Sequence, residues 1–323
     1  MHTRFELVLY GPAEPSLRAA GEEALDEIER IEAQLSLFRP TSEIARVNRH
    51  AHERPVPVSP PTFRLLARAR ELSRQTAGAF DPTVGPLLRA WGFLGASGAW
   101  PDPEALEAAR GCVGLDKVLL DEDQFTVRFA RPGLLLDLGA IGKGYAVDCA
   151  VAILREAGVT SALLHGGTSS VYGLGTMPDG QPWKAAITAP APSEASDRSD
   201  PSDTHQLPET LTELALTDAA LGVSAVSGKA FRSGDRSYGH VLDPRAGEPV
   251  QRALLAAVAS PGATEADALS TALLVLGAAG LDTLAEHYPG LRAWLVLPAL
   301  DGTGPHRAVH GEPPVLAGTA HRP

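Results

Sequence analysis

Residues 136–158 read LDLGAIGKGYAVDCAVAILREAG, and the change of pattern inside this stretch decides the kind of fold. An apolar run over Leu134–Asp137 has strand character; glycines at 139, 142 and 144 interrupt it, and a helical pattern then continues to Gly158. Glycines at a strand-to-helix junction let backbone N–H groups approach an anion closely, and a helix N-terminus favours negative charge. Lys143 stands among them. The loop matches neither GxxxxGK[ST] nor GxGxxG. A phosphate-facing loop and a tight turn with a surface lysine therefore both stay open.

Strand patterns surround this junction. Ser161–His165 stops at Gly166-Gly167, and Val171–Gly173, Trp183–Thr188, Leu214–Leu216, Gly222–Val226, Leu254–Ser260 and Ala293–Leu297 follow. Phe5–Tyr10, Lys117–Leu120 and Phe125–Phe129 precede it. Helical patterns cover Ser16–Leu37, a short segment capped from Thr41–Glu43, Pro60–Thr76, Pro103–Gly111, the run ADALSTALLVLG and Leu281–Glu286. Strands outnumber what βαβ alternation needs, so the expectation is an α+β fold with mixed or antiparallel sheets and packed helices.

The 323 residues can bury a large core, with 44% hydrophobic and 21% charged side chains typical of a soluble globular protein. A formal net charge of −11 argues against nucleic acid or an anionic membrane as the main partner. Cys112 and Cys149 are far apart and lack metal-ligand spacing, which speaks against a zinc site or a disulfide framework. No apolar run approaches the ~18 residues of a membrane span. The N-terminal stretch lacks a long apolar region, a cleavage site and a lipobox cysteine, so the expectation is a cytoplasmic protein. Residues 189–209 (APAPSEASDRSDPSDTHQLPE) are rich in Pro, Ser and Asp and read as a disordered insertion. The expected domain spans 1–300, with 301–323 an irregular tail.

Three further stretches carry groups suited to chemistry. In EADALSTALLVLG (265–277), Asp267 and Thr271 lie four residues apart on one helix face, where their oxygens can meet one hard cation such as Mg²⁺ or Ca²⁺. A cap or dipole partner at Asp267 and a back-bonded hydroxyl at Thr271 explain the same residues. HGGTSS (165–170) is a close-approach turn. SYGHVLDPRAGEPV (237–250) combines His240, an Asp-Pro turn and the fork-shaped donor Arg245. No GxSxG occurs, so serine-nucleophile chemistry has no support.

Taken in order, LSLFRPTSEIARVN, GAFDPTVGPLLRAWGF, LDLGAIGKGYAVD, HGG, VSG, HVLDPRAG and ADALSTALLVLG resemble the ApbE family of FAD:protein FMN transferases along nearly the whole chain. The resemblance implies an ApbE-like fold of two intertwined subdomains with FAD bound between them. It also implies Mg²⁺ as cofactor, FAD as substrate, and transfer of the FMN half to a Thr or Ser hydroxyl of an acceptor protein with release of AMP. Carried onto this sequence, the metal oxygens come from Asp267, Thr271 and the Ala140 carbonyl, with Ser270 auxiliary. Phe38, Ala79, Phe80, Asp81, Asp137, Lys143, Gly166, Gly167, Ser227, His240 and Val241 face FAD. Asp267 and His240 are the catalytic pair, His240 orienting or deprotonating the acceptor hydroxyl.

Three positions depart from the family pattern. Val226 replaces a Thr before Ser227-Gly228, Ala246 replaces a Thr in PRAG, and Thr168 replaces an Asp or Asn after the Gly pair. The same residues would also serve an FAD pyrophosphatase yielding FMN and AMP, and with chemistry disabled they would make a flavin carrier.

Overall fold

The computed structural model describes residues 3–11, 13–189, 209–234, 236–298 and 306–311. From the N-terminus these form β1 (Phe5–Tyr10), α1 (Glu14–Leu35), α2 (Glu43–His50), β2 (Val56–Pro57), α3 (Pro60–Gln75), α4 (Gly85–Ala90) and α5 (Pro103–Arg110). There follow β3 (Val118–Asp121), β4 (Thr126–Phe129), α6 (Gly142–Glu156), β5 (Ser161–Gly166), β6 (Ser170–Leu174), β7 (Trp183–Thr188), β8 (Thr210–Leu216) and β9 (Ala219–Ala225). The remainder is β10 (Ala230–Ser233), β11 (Arg236–Gly239), β12 (Leu242–Asp243), β13 (Glu248–Pro249), β14 (Leu255–Ser260), α7 (Ala263–Leu276), α8 (Ala279–His287), β15 (Arg292–Leu297) and β16 (His306–His310).

The main sheet has the order β1-β5-β6-β9-β14-β15-β16. All its ladders are antiparallel, as are those of the smaller sheets, so of the two expected arrangements the antiparallel one holds. Helices α6 and α7 pack together, α7 lies on β9 and β14, and α1 covers α6 through its buried stripe Ala20, Ala24, Ile28, Ile31 and Leu35. The β7–β8 hairpin covers the other face, where Trp183, Ile187, Leu214 and Leu216 meet Leu221, Leu255, Ala257 and Val296. With both faces covered, β14 is buried along nearly its whole length. The three-stranded sheet β2-β4-β3 and helices α2 to α5 make the second part of the α+β fold.

Two expectations change. Leu134–Asp137 is extended but joins no sheet. Its hydrogen bonds go elsewhere: Leu136 N–H donates to the Asn48 side-chain oxygen at 2.7 Å, the Asn48 amide donates back to the Leu136 carbonyl at 2.9 Å, and Asp137 N–H donates to the Pro82 carbonyl. A side-chain amide thus satisfies the backbone that a neighbouring strand would otherwise pair. The tail is not irregular throughout, because residues 306–310 pair with β15 as an edge strand; 301–305 and 312–323 lie outside the described residues. The insertion proper, 190–208, also lies outside them, but its ends meet where Ala189 N–H donates to the Glu209 carbonyl at 2.8 Å.

Candidate active site

Helix α7 sets one wall of the site, and two glycines determine where it lies. A Cβ on Gly222 of β9 would drive into the Ala266 carbonyl oxygen, and one on Gly144 of α6 into that of Ala263. Strand and helix backbones therefore touch the first turns of α7 directly. The helix starts at Gly262 with no cap of its own. Asp148 of α6 supplies one, accepting from Ala263 N–H at 2.7 Å and from Thr264 N–H at 2.8 Å. Burial pushes the Asp148 carboxyl upward, and these bonds oppose the shift.

Asp267 is not a helix cap. It lies in the second turn, 2% exposed, with Oδ2 accepting from Gly144 N–H at 3.1 Å and Oδ1 at 3.4 Å from the Lys143 ammonium. Lys143 also donates to the Gly139 carbonyl at 3.1 Å. Because Asp267 takes the Gly144 N–H, the Ala140 carbonyl four residues earlier accepts no backbone N–H among the described residues. Thr271 and Ser270 stand one turn further along α7, both in contact with Ser224 of β9 at 2.9 Å.

The opposite wall comes from loops. Asp137 accepts from Gly139 N–H at 2.8 Å; burial pushes its carboxyl upward, opposed by that bond and by His240 and Lys143 nearby. His240 follows the β10–β11 hairpin, with Nδ1 3.3 Å from the Lys229 carbonyl. Burial lowers the His240 pKa; the Lys229 carbonyl opposes the shift, and the Lys229 and Lys143 cations add to it. The hairpin rests on Trp91 and Phe93: Phe231 stacks on Tyr238 with centroids 5.4 Å apart, and the Trp91 indole N–H donates to the Gly247 carbonyl at 2.8 Å. This stack ties GAFDPTVGPLLRAWGF to HVLDPRAG.

The two walls enclose a cavity of about 410 Å³. It brings together Ala79, Phe80, Asp81, Asp137, Ala140, Lys143, Ser227, His240, Val241, Asp267 and Thr271, all singled out in the sequence. Residues from 79 to 271 converge on one space, in the order of the motifs. A match to the ApbE family covers residues 1–295.

The chain belongs to the ApbE family.

Similar proteins include the FAD:protein FMN transferase of Haemophilus influenzae, 30% identical over 81% of this chain and 75% of that one. That of Treponema pallidum is 31% identical over 87% and 78%. Among solved structures, the ApbE protein of Thermotoga maritima superposes with a TM-score of 0.81 at 27% identity, covering 96% of this chain and 94% of that one. The flavin transferase ApbE of Vibrio cholerae gives 0.76 at 27%, with the same coverage.

Some positions inferred from the ApbE resemblance lie elsewhere. Phe38 is 58% exposed between α1 and α2 and does not line the cavity. Gly166 ends β5 opposite Phe5, and Gly167, at φ +61°, donates its N–H to the Arg4 carbonyl; they turn the chain so that Thr168 and Ser169 face the cavity instead. Ser270 is fully buried behind Thr271. Asp81 lines the cavity, yet its Oδ1 accepts from Thr83 N–H at 2.8 Å and the Thr83 hydroxyl at 2.6 Å; burial raises its pKa against those bonds. Arg245 spends its fork on Asp243 at 2.9 and 2.8 Å; burial alone would raise the Asp243 pKa, but this pairing brings it below the usual value. Of the departures, Thr168 keeps a hydroxyl in the cavity, while Val226 and Ala246 do not line it. Sequence reading missed Ser224 and the apolar wall of Val84, Leu88, Leu242 and Pro244. Strand alternation from Gly222 was the available signal for Ser224.

Proposed function

We propose that this chain is a Mg²⁺-dependent FAD:protein FMN transferase that joins FMN to a Thr or Ser hydroxyl of an acceptor protein and releases AMP. The observation that carries the reading is the unclaimed Ala140 carbonyl, lining one cavity with the Asp267 carboxylate and the Thr271 hydroxyl. These are hard oxygen donors, and one carboxylate suits Mg²⁺, which keeps waters and substrate phosphates in its shell. Among the described residues no three His, Cys, Asp or Glu side chains gather as a metal cage, so the donors fit a cation shared with a phosphate ligand better than a closed structural site. Ala140, Asp267 and Thr271 would hold the cation, with Ser270 supporting from behind. When bound, it neutralises charge on the phosphate oxygens.

The protein's own groups supply the rest. Lys143 beside Asp267 adds a positive charge where a pyrophosphate would lie. His240 donates Nδ1–H to the Lys229 carbonyl, which leaves Nε2 as the proton acceptor. Its lowered pKa keeps it neutral and basic near pH 7. The acceptor hydroxyl oxygen bonds to the FMN phosphorus, the bond from that phosphorus to the bridging oxygen breaks, and AMP departs with that oxygen. The hydroxyl proton goes to Nε2. The apolar wall of Val84, Leu88, Leu242 and Pro244 offers a face for a ring of the dinucleotide.

Purified protein incubated with FAD, Mg²⁺ and a flavin acceptor domain should give a fluorescent acceptor band that survives denaturation, with AMP released in equal amount. Efficient transfer by Asp267→Ala in the absence of divalent metal would sink this mechanism. FMN and AMP formed at the same rate with and without acceptor would identify a hydrolase instead.

A further inference from the structure

We infer that Ser224 is a positioning residue that holds the Thr271 proton away from the cavity, so that the Thr271 oxygen offers its lone pairs to a cation. Ser224 has this task only if Asp267, Ala140 and Thr271 hold a metal, as proposed above.

Proton accounting among three hydroxyls requires it. Ser224 Oγ lies 2.9 Å from Ser270 Oγ and 2.9 Å from Thr271 Oγ1. Ser270 Oγ is 2.9 Å, and Thr271 Oγ1 3.3 Å, from the Asp267 carbonyl oxygen. Each hydroxyl has one proton to donate. A carbonyl only accepts, so the proton of Ser270 is spent on Asp267. The Ser224–Ser270 contact then needs the proton of Ser224, and the Ser224–Thr271 contact needs that of Thr271. The three short contacts thus permit one direction, from Thr271 to Ser224 to Ser270 to the Asp267 carbonyl. The 3.3 Å contact, the longest, gives way. The usual helical habit of Thr, a bond back to the carbonyl four residues earlier, is displaced here by a serine on the adjacent strand.

Strand geometry delivers that serine. Side chains two apart share a sheet face, and Gly222 lies against the first turns of α7. Ser224 therefore also faces α7, one turn further on, where Ser270 and Thr271 stand. Both Ser224 and Thr271 line the cavity, while Ser270 is fully buried. Without Ser224, the Thr271 proton keeps only the longer 3.3 Å contact to the Asp267 carbonyl, which Ser270 already shares at 2.9 Å. It is then less firmly held from rotating toward the cavity and competing with a cation for the oxygen.

The test is Mn²⁺ binding to EDTA-stripped protein, read by electron paramagnetic resonance without substrate. Ser224→Ala should raise the Mn²⁺ dissociation constant about 10-fold, the scale of a lost outer-shell partner, and Ser224→Thr should restore it. In a Thr271→Val background, Ser224→Ala should cost nothing more, since Ser224 acts only through Thr271. Ser224→Cys serves where the alanine variant does not fold, with the same weakening expected. Unchanged affinity in Ser224→Ala while Asp267→Ala loses Mn²⁺ overturns the role of Ser224 and leaves the metal site standing. An equal further loss in the Thr271→Val background overturns it too, as a packing effect. Equal Mn²⁺ binding by wild type and Asp267→Ala overturns the metal reading and the role of Ser224 together.

Discussion

The two walls of the cavity are built on different principles. On the α7 side, backbones touch at Gly144 and Gly222, Asp267 is 2% exposed, and the polar side chains at 224, 267, 270 and 271 are hydrogen-bonded. On the His240 side, a two-stranded hairpin leans on an aromatic stack whose outermost ring, Trp100, is 63% exposed. The first wall sets atom positions through close approach and has little freedom to adjust. The second is held by side-chain packing that thins toward solvent. In the proposed function, holding a fixed cation and admitting a protein hydroxyl would make use of both.

The largest effects should fall on the chemistry each wall contributes. Asp267→Ala should cut FMN transfer by about 10³-fold, the scale of losing a main electrostatic stabiliser, measured as acceptor fluorescence over time. His240→Ala should lose about 10²-fold, the low end for a general base. That ordering would sharpen the comparison, with the close-packed wall stabilising charge and the looser one moving a proton, as the proposed mechanism requires. In that mechanism His240 acts unprotonated, and burial lowers its pKa. The acid limb of kcat/KM should therefore fall only below about pH 6.5, the ordinary histidine value, and vanish in His240→Ala. An acid limb above that value in wild type, or one retained in the variant, would assign the titration to another group.

How much of this was legible in the sequence follows the same division. The helix that follows the glycines at 139, 142 and 144, most of the strands and the i, i+4 spacing of Asp267 and Thr271 were readable because local pattern determines them. The convergence of residues 79 to 271 on one cavity was readable only through the ordered motifs. Leu134–Asp137 misled because its pattern is that of a strand, while the partner that satisfies it is the amide of Asn48, 88 residues away from Leu136. The hairpin of β10 (Ala230–Ser233) and β11 (Arg236–Gly239) was missed because its aromatic Phe231 packs on Trp91 and Phe93 rather than showing a strict period. Ser224 was overlooked although alternation from Gly222 puts it on one face of the strand. Its task depends on that face meeting α7, and a single sequence does not say which face does.

A methyl group tests the first wall. Gly222→Ala leaves every polar group in place but pushes a Cβ into the Ala266 carbonyl, 2.7 Å from the Asp267 nitrogen. Overpacking of this kind costs about 1–3 kcal/mol, seen as a lower melting temperature. Transfer should drop as well, since the displaced turn carries Asp267. Retained stability and activity would show that α7 can move away from β9, and the contrast between the walls would lose its basis.

The smallest effect is expected at the rim of the second wall. Trp100 meets Trp91 and Tyr238 edge-on, with centroids 5.3 Å apart in each case. An aromatic pair adds about 0.5–1.5 kcal/mol beyond its buried area, and a ring 63% exposed has much of its surface in water already. Trp100→Ala should therefore lower the melting temperature less than Gly222→Ala does. It should leave Mn²⁺ affinity unchanged, because Trp100 packs on Trp91 and Tyr238 and not on the proposed metal ligands. A larger stability loss than that of Gly222→Ala would mean that the aromatic stack, not the glycine contacts, is the firmer of the two supports. The assignment of rigidity to the α7 wall would then have to be reversed.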